Sequence, residues 1–406
     1  MKRTCLSIIG LVLTLFSAFA QPASKDSSQY KSRKLTFEEA NFVSSYYHQD
    51  GNNSAVTGGI GTEKLSDFSG SIDLKFSKWD RRNRKHNLYL DAGIDHYTSA
   101  SSDKIDPHTI SSASSADTRI YPSLSWTVEN EKNGTTFGAG LSTSSEFDYQ
   151  SFGANLSFAK KTKNRSGEFS ARAQAYFDHL KYILPVELRT ANGGGAGGGD
   201  DDDHDDYASK PRNSFSSSLS WSQIINQRLQ LMFLLDFVYQ NGYLGLPFHR
   251  VYFNDNSLHV ENLPDSRLKI PVGFRANYFA GDRVIIRTFY RYYHDDWGID
   301  GHTIDIETPV KISPFFSITP FYRYYNQSAA DYFAPYKMHS ASDVYYTSNY
   351  DYSKFNSSFF GAGFRISPAK GVFGMSHFNM LELRYGHYAR STPLNANIVS
   401  LNLKFK

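Results

Sequence analysis

The sequence predicts an all-β protein, a transmembrane antiparallel β-barrel of about sixteen strands, within a range of roughly 14 to 18. Three observations predict it. Apolar and polar side chains alternate with a two-residue period in segment after segment, a leader of secretory type precedes them, and short connections alternate with long ones. A strand places successive side chains on opposite faces. In the segment 302–312, Ile304, Ile306, Val310 and Ile312 therefore share one face, and Thr303, Asp305, Glu307 and Lys311 share the other. Strands cross lipid only as a closed barrel, because an open sheet edge leaves backbone N–H and C=O groups unpaired in hydrocarbon.

The leader comes first in chain order. Lys2 and Arg3 precede an apolar run over 6–19 that ends in Ala18-Phe19-Ala20, a pattern expected of a signal peptide over 1–20 cut before Gln21. That run is shorter than the ~20 residues of a spanning helix. The only cysteine, Cys5, lies before the run rather than at its end, which argues against lipoprotein processing. The mature chain is then expected to hold no thiol, disulfide or cysteine metal site. Residues 21–36 read as a periplasmic N-terminal segment and 37–406 as one barrel domain, since strand signals recur without a break in composition.

Composition fits this reading. A mean hydropathy of -0.48 would ordinarily indicate a soluble protein, but only alternate residues of a barrel meet lipid. The formal net charge of +3 shrinks further when Lys2 and Arg3 leave, which argues against a nucleic-acid partner. Aromatic residues form 16% of the chain, and rings anchored at two lipid–water interfaces would account for them.

Along the chain, the first strands are expected at 37–47, ending in Tyr46-Tyr47, then 67–77 and 86–97. In the third, Leu88, Leu90, Ala92 and Ile94 face lipid, and Asp91 and Asp95 face inward. Strands at 118–128, 134–144, 149–160, 167–179 and 213–223 follow; Gly138-Ala139-Gly140 within 134–144 suits close packing or bending. The second half continues at 228–240, 267–279, 283–295, 301–312 and 315–327. Next comes 355–366, where Phe360, Phe364 and Ile366 oppose Arg365, followed by 376–389. The last strand, 396–406, alternates Val399, Leu401, Leu403 and Phe405 with Ser400, Asn402 and Lys404. Such a terminal strand resembles the signal read by the barrel-assembly machinery, although Lys406 follows the final aromatic. Tyr46-Tyr47, Tyr97, Tyr239, Tyr292-Tyr293, Tyr324-Tyr325 and Tyr388 fall at outward ends and predict an aromatic girdle.

The connections check the strand count. With both termini periplasmic, even-numbered connections must be short turns, and 129–133, 224–227, Ala280-Gly281-Asp282 and Ser313-Pro314 all fall in that set. Odd-numbered connections include the long segments 98–117, 180–213, 241–266 and 328–354, which predict extracellular loops.

Alternation assigns Asp91, Asp95, Arg172, Arg275, Arg287, Arg291, Asp305, Glu307, Lys311, Arg323, Glu382 and Arg384 to the lumen. Charges of both signs there either form salt-bridge networks that fill the interior or tune a polar channel. Arg275, Arg287, Arg291 and Arg323 form an anion-attracting stripe that Asp305 and Glu307 are placed to neutralise. Elsewhere, Asp200, Asp201, Asp202, Asp203, His204, Asp205 and Asp206 follow the glycine-rich run 193–199. These side chains are candidate ligands for a hard cation, but they lack the spacing of an EF-hand loop and equally suit a solvated extracellular loop. No serine-hydrolase elbow, zinc-protease motif, phosphate loop or dinucleotide fingerprint is present, so no catalytic residue or cofactor is assigned. His294-Asp295-Asp296-Trp297 is a polar cluster at a strand end without an identifiable nucleophile.

Two stretches, SSASSADTRIYPSLSW at 111–126 and the region 291–333 with RYYHDDWGIDGHTIDIE and RYYNQSAADYF, resemble the domain-of-unknown-function 3570 family of Gram-negative, largely Bacteroidota, outer-membrane barrels. The resemblance implies an outer-membrane protein and transfers no catalytic residues. Members of the family are often encoded near a flavin transferase, lipoprotein-like and thioredoxin-like proteins, which implies a periplasmic redox or lipoprotein partner. The expected function is a passive, porin-like pore or a barrel scaffold for such a partner, surrounded by outer-membrane lipid. Alternative readings are a hydrolase or protease with a loop-borne site near Asp295, Asp296 and His204, and an adhesin or receptor using 328–354.

Overall fold

A computed structural model describes residues 32–98, 116–189 and 208–406. The first half contributes β1 (Thr36–Gly51), β2 (Leu65–Trp79), β3 (Lys85–Thr98), β4 (Ala116–Asn130), β5 (Thr135–Ser145), β6 (Tyr149–Lys161), β7 (Gly167–Lys181), β8 (Ser209–Asn226) and β9 (Leu229–Gly242). A small loop hairpin, β10 (Arg250–Tyr252) and β11 (Leu258–Val260), stands apart from the main sheet. The second half contributes β12 (Ser266–Ala280), β13 (Val284–Asp295), β14 (Asp300–Glu307), β15 (Val310–Ser313), β16 (Phe316–Gln327), β17 (Phe355–Ile366), β18 (Phe378–Arg390) and β19 (Leu394–Phe405).

Every neighbouring pair is antiparallel, and the sheet closes where β1 pairs with β19 from Ala40↔Phe405 to Gly51↔Leu394. β14 and β15 are two stretches of one barrel strand, since both lie between β13 and β16. Pro309, which has no N–H to donate to a ladder, sits in the gap between them. Counted this way, the barrel has 16 strands. The sequence foresaw neither this interruption nor the loop hairpin.

The long connections after β1, β3, β7, β9 and β16 share one end of the barrel with short turns after β5, β13 and β18, and the other end carries short turns and the connection 367–377, so the parity read from sequence is the parity of the fold. At the turn end, Gly281 adopts φ +73 with open space around its Cα, a backbone conformation that favours glycine. The outer surface is an apolar belt: Leu141, Leu156, Phe233 and Phe360 are 47–66% exposed. Apart from Ala396 on β19, the lowest exposures lie largely in the loops, as at Val251 (0%), Thr347 (0%) and Trp297 (2%). This distribution inverts that of a soluble globule and suits a wall that meets lipid outside and a polar lumen inside.

The girdle expectation needs correction. Tyr46, Tyr239 and Tyr324 do point outward and are exposed, but Tyr47, Tyr97, Tyr293, Tyr325 and Tyr388 point into the barrel. Adjacent residues of a strand must face opposite ways, so a Tyr-Tyr pair cannot anchor two rings in one interface. Three of these inward rings bond along their own strands, Tyr47 Oη donating to Gln49 at 2.6 Å, Tyr293 to Asp295 at 2.6 Å and Tyr325 to Gln327 at 2.8 Å, while Tyr97 donates to Glu146 at 2.6 Å.

Candidate functional site

The lumen has two unlike walls. On β8, Phe215, Leu219 and Trp221 face outward and are exposed. Alternation turns Ser214, Ser216, Ser218, Ser220 and Ser222 inward. The register carries small polar residues around the wall: Ser218 lies opposite Arg172, Arg172 opposite Ser157, Ser157 opposite Gly138 and Gly138 opposite Thr127. Gly138 and Gly140 face inward among close neighbours, because an added Cβ would lie 2.4 Å from Ser157 Oγ and 2.6 Å from Asn155 Nδ2. Packing, rather than bending, accounts for the Gly-Ala-Gly element. From β4 to β8 the wall is therefore mostly small and polar, interrupted by the inward side chains of Arg119, Tyr121, Tyr149, Arg172 and Tyr176.

The face assignment has a direct check. Cysteine at Ser216 or Ser220 is expected to react with a membrane-impermeant thiol reagent, while Ser217→Cys, on the lipid-facing side, stays unmodified. Equal labelling of the three would overturn the assignment.

The opposite wall, β12 to β18, holds a connected network of lumenal charge. Arg287 pairs with Glu307 at 2.8 Å, Glu307 also takes Arg384 at 3.1 Å, and Arg384 reaches Glu382 at 3.6 Å. Arg323 pairs with Asp305 at 2.9 Å. Arg275 and Arg384 lie over the rings of Phe289 and Phe321 at 5.4 and 4.8 Å. Away from this network, Asp91 accepts from Ser123 and Asp95 from Tyr121, each at 2.9 Å. Lys311 lies opposite Ser317 near the turn end. Arg291 forms no ion pair among the described residues.

Sequence reasoning missed several lumenal charges, among them Asp73 opposite Asp91, Lys75 paired with Glu38 at 3.0 Å and Arg119 opposite Asp95. Arg390 shares the parity of Glu382 and Arg384 and pairs with Asp351 at 2.7 Å, so the alternation could have been followed further. Glu38 and Glu39 both reach inward partners, Lys85 at 2.7 Å and Lys404 at 2.7 Å respectively. A register shift between Phe37 and Glu39 explains this, since a bulge breaks the alternation at a point that no residue type announces.

The long loops meet in a packed cap. Arg250 on β10 donates from Nη1 to the Val56 carbonyl at 2.7 Å and pairs with Glu187 at 2.7 Å. Val56 and Phe248 form a small apolar core with Leu246. Val56 belongs to the β1–β2 connection and Arg250 to the β9–β12 connection, which stand on opposite sides of the ring of strands. A sixteen-stranded barrel is roughly 30 Å across, so these contacts run over its mouth. The β16–β17 loop joins them where Tyr346 N–H donates to the Asn262 carbonyl at 2.7 Å and Asn254 N–H to the His339 carbonyl at 2.9 Å.

Glu261 sits at the centre of the cap, 4% exposed. It accepts from Thr347 Oγ1 at 2.5 Å and Leu246 N–H at 2.9 Å, and His249 Nδ1 lies 3.4 Å away. Burial alone would push its carboxyl up. The nearby His249 and these donors outweigh burial and hold it below the usual carboxylate range.

Asp295 has a structural assignment. Its side chain is 0% exposed and pairs with Arg267. It also accepts from the Trp297 and Ile299 N–H groups at 3.0 Å each and from Tyr293. These bonds close the tight β13–β14 turn and engage both carboxylate oxygens. Asp296 Oδ1 accepts from Leu268 N–H at 3.0 Å. The candidate cation ligands Asp200 to Asp206, including His204, lie outside the described residues.

A family model described as a protein of unknown function, DUF3570, matches residues 81–387. No curated protein matches. Among solved structures, a BenF-like porin from Pseudomonas fluorescens Pf-5 is 8% identical, with a TM-score of 0.43 over 93% of this chain and 100% of its own. Pseudomonas aeruginosa OccK1 (OpdK) is 8% identical at a TM-score of 0.41, over 93% of this chain and 99% of its own. Acinetobacter baumannii OccAB3 is 9% identical at 0.41, over 90% and 98%. Likeness at this level transfers no solute or site.

Proposed function

The chain belongs to the DUF3570 family of proteins of unknown function, and we propose that it is a passive outer-membrane pore for small polar solutes, narrowed at its outer mouth by the loop cap. The observation that carries this reading is the unequal lumen. Charged and aromatic side chains crowd β12 to β18, while β4 to β8 present mainly serine, glycine, threonine and asparagine, with Arg119, Tyr121, Arg172 and Tyr176 set among them. Short polar side chains leave room for water beside them, so the mostly small and polar wall supplies the route and the charged wall sets preference among solutes. The apolar belt and the secretory leader support placement in an outer membrane. On this reading the turn end faces the periplasm and the cap faces outward.

Reconstitution in a planar bilayer tests the proposal. The wild-type chain is expected to give discrete current steps that are smaller than those of a variant whose cap has been loosened. Silence from both the wild type and the loosened variant overturns the pore reading.

A further inference from the structure

Beneath the cap, the lumen holds a cavity of about 760 Å³, the size of a pocket for a small organic molecule. Its polar groups are unevenly matched. Arg323 is engaged by Asp305 and Arg390 by Asp351, but Arg291 faces the cavity without a carboxylate partner. Across the cavity, the Arg390 side chain is only 3% exposed, yet its Nη2 has no hydrogen-bond partner. Glu63 Oε2, 3.9 Å from that nitrogen, is also without one. A buried donor and a buried acceptor left unmade are costly. Their separation is too long for a direct hydrogen bond, and once the two side chains swing apart to uncover these atoms, a group that both donates and accepts satisfies both. Burial pushes the Glu63 carboxyl up, which weakens its opposition to an incoming anion. Aromatic rings also line the cavity, including Phe289, Phe355 and Phe359.

Each feature selects a part of the ligand. The unopposed guanidinium of Arg291 calls for an anion, and a planar carboxylate matches its fork of donors. Rings in the walls favour a flat apolar body. The Arg390–Glu63 gap calls for a hydroxyl at the far end. We propose that this cavity is a binding site for an elongated aromatic carboxylate bearing a hydroxyl opposite its acid group. The inference rests on the pore reading for its access route, but the site itself is an equilibrium property of the folded barrel.

Calorimetry on the full chain in detergent tests it, with 6-hydroxy-2-naphthoate as the probe. Saturable one-to-one binding is expected, with 2-naphthoate several-fold weaker and 2-naphthol, which lacks the acid, at least about tenfold weaker. Arg291→Gln is expected to weaken the probe about tenfold, the effect of losing one charge-assisted contact, while Arg291→Lys recovers part of the loss. Arg291 has no protein carboxylate to abandon, so neither change threatens the fold. Equal binding of the probe and 2-naphthol, or an unchanged affinity in Arg291→Gln, overturns the acid assignment; equal binding of the probe and 2-naphthoate overturns the hydroxyl assignment. Binding by a barrel that carries no current would leave the site standing and sink the pore, whereas current steps without binding would sink the site alone.

Discussion

Asp295→Ala is expected to destabilise the barrel by about 3–5 kcal/mol, the range for removing one partner of a buried ion pair. Arg267, with a side chain 9% exposed, would be left charged, buried and unpaired. The Trp297 and Ile299 N–H groups would lose the acceptor that shapes the turn. Trp297, held by its indole N–H to the Ser266 carbonyl at 3.0 Å and lying under the Arg267 guanidinium, would lose its seat as well. Urea unfolding followed by the heat-modifiable mobility of the barrel on gels measures the loss. Asp295→Asn keeps an acceptor for the two N–H groups and should cost less. If the alanine variant matched the wild type, Asp295 would be free of the structural role assigned here, and a catalytic reading of the His294–Trp297 cluster would regain ground.

Arg250→Ala is the second change with a large expected effect. It breaks the contact that bridges loops from opposite sides of the mouth, removing both the Glu187 pair and the bond to the Val56 carbonyl. A local loss of about 1–3 kcal/mol, the range for leaving the buried Val56 carbonyl without its donor, shifts the mouth toward an open state, since Glu187 is a third exposed and is not left as a buried charge. Single-channel current is expected to rise several-fold, and the loop hairpin to become protease-sensitive, while the barrel wall stays folded. Acid should act in the same direction. Glu261 titrates below its usual range in the folded cap, so its stabilisation is complete above its unfolded value of about 4.3 and fades as pH falls through the lower folded value. Current at neutral pH should therefore be steady and should rise only below about pH 4. A cap unaffected by both treatments would mean that the mouth contacts do not limit flow.

The barrel was legible in the chain because one physical rule repeats along it. Lipid on one side and an enclosed polar space on the other impose the two-residue period, and the alternation of short and long connections fixes the parity of the strands. Where the rule is locally suspended, the reading fails. The bulge at Glu38, the gap at Thr308-Pro309 and the hairpin from Arg250 to Val260 depend on pairing geometry that periodicity does not encode. The tyrosine pairs were misread for the opposite reason. Their position near an interface was evident, but the same alternation that built the strand sends every second ring inward.

The amino-acid sequence by itself determined the wall: about sixteen alternating segments, their inside and outside faces, and the charges Asp305, Glu307, Arg323 and Arg384 that share the lumen. Only the tertiary structure decided which charges neutralise one another, that Arg291 is left over, that Asp295 is locked into a turn and that the loops meet above the lumen. The physical reason is one of range. A strand's faces follow from its nearest neighbours in sequence, whereas the partnership of Arg250 with Val56, 194 residues apart, exists only after the ring has closed and brought two distant loops over the same opening.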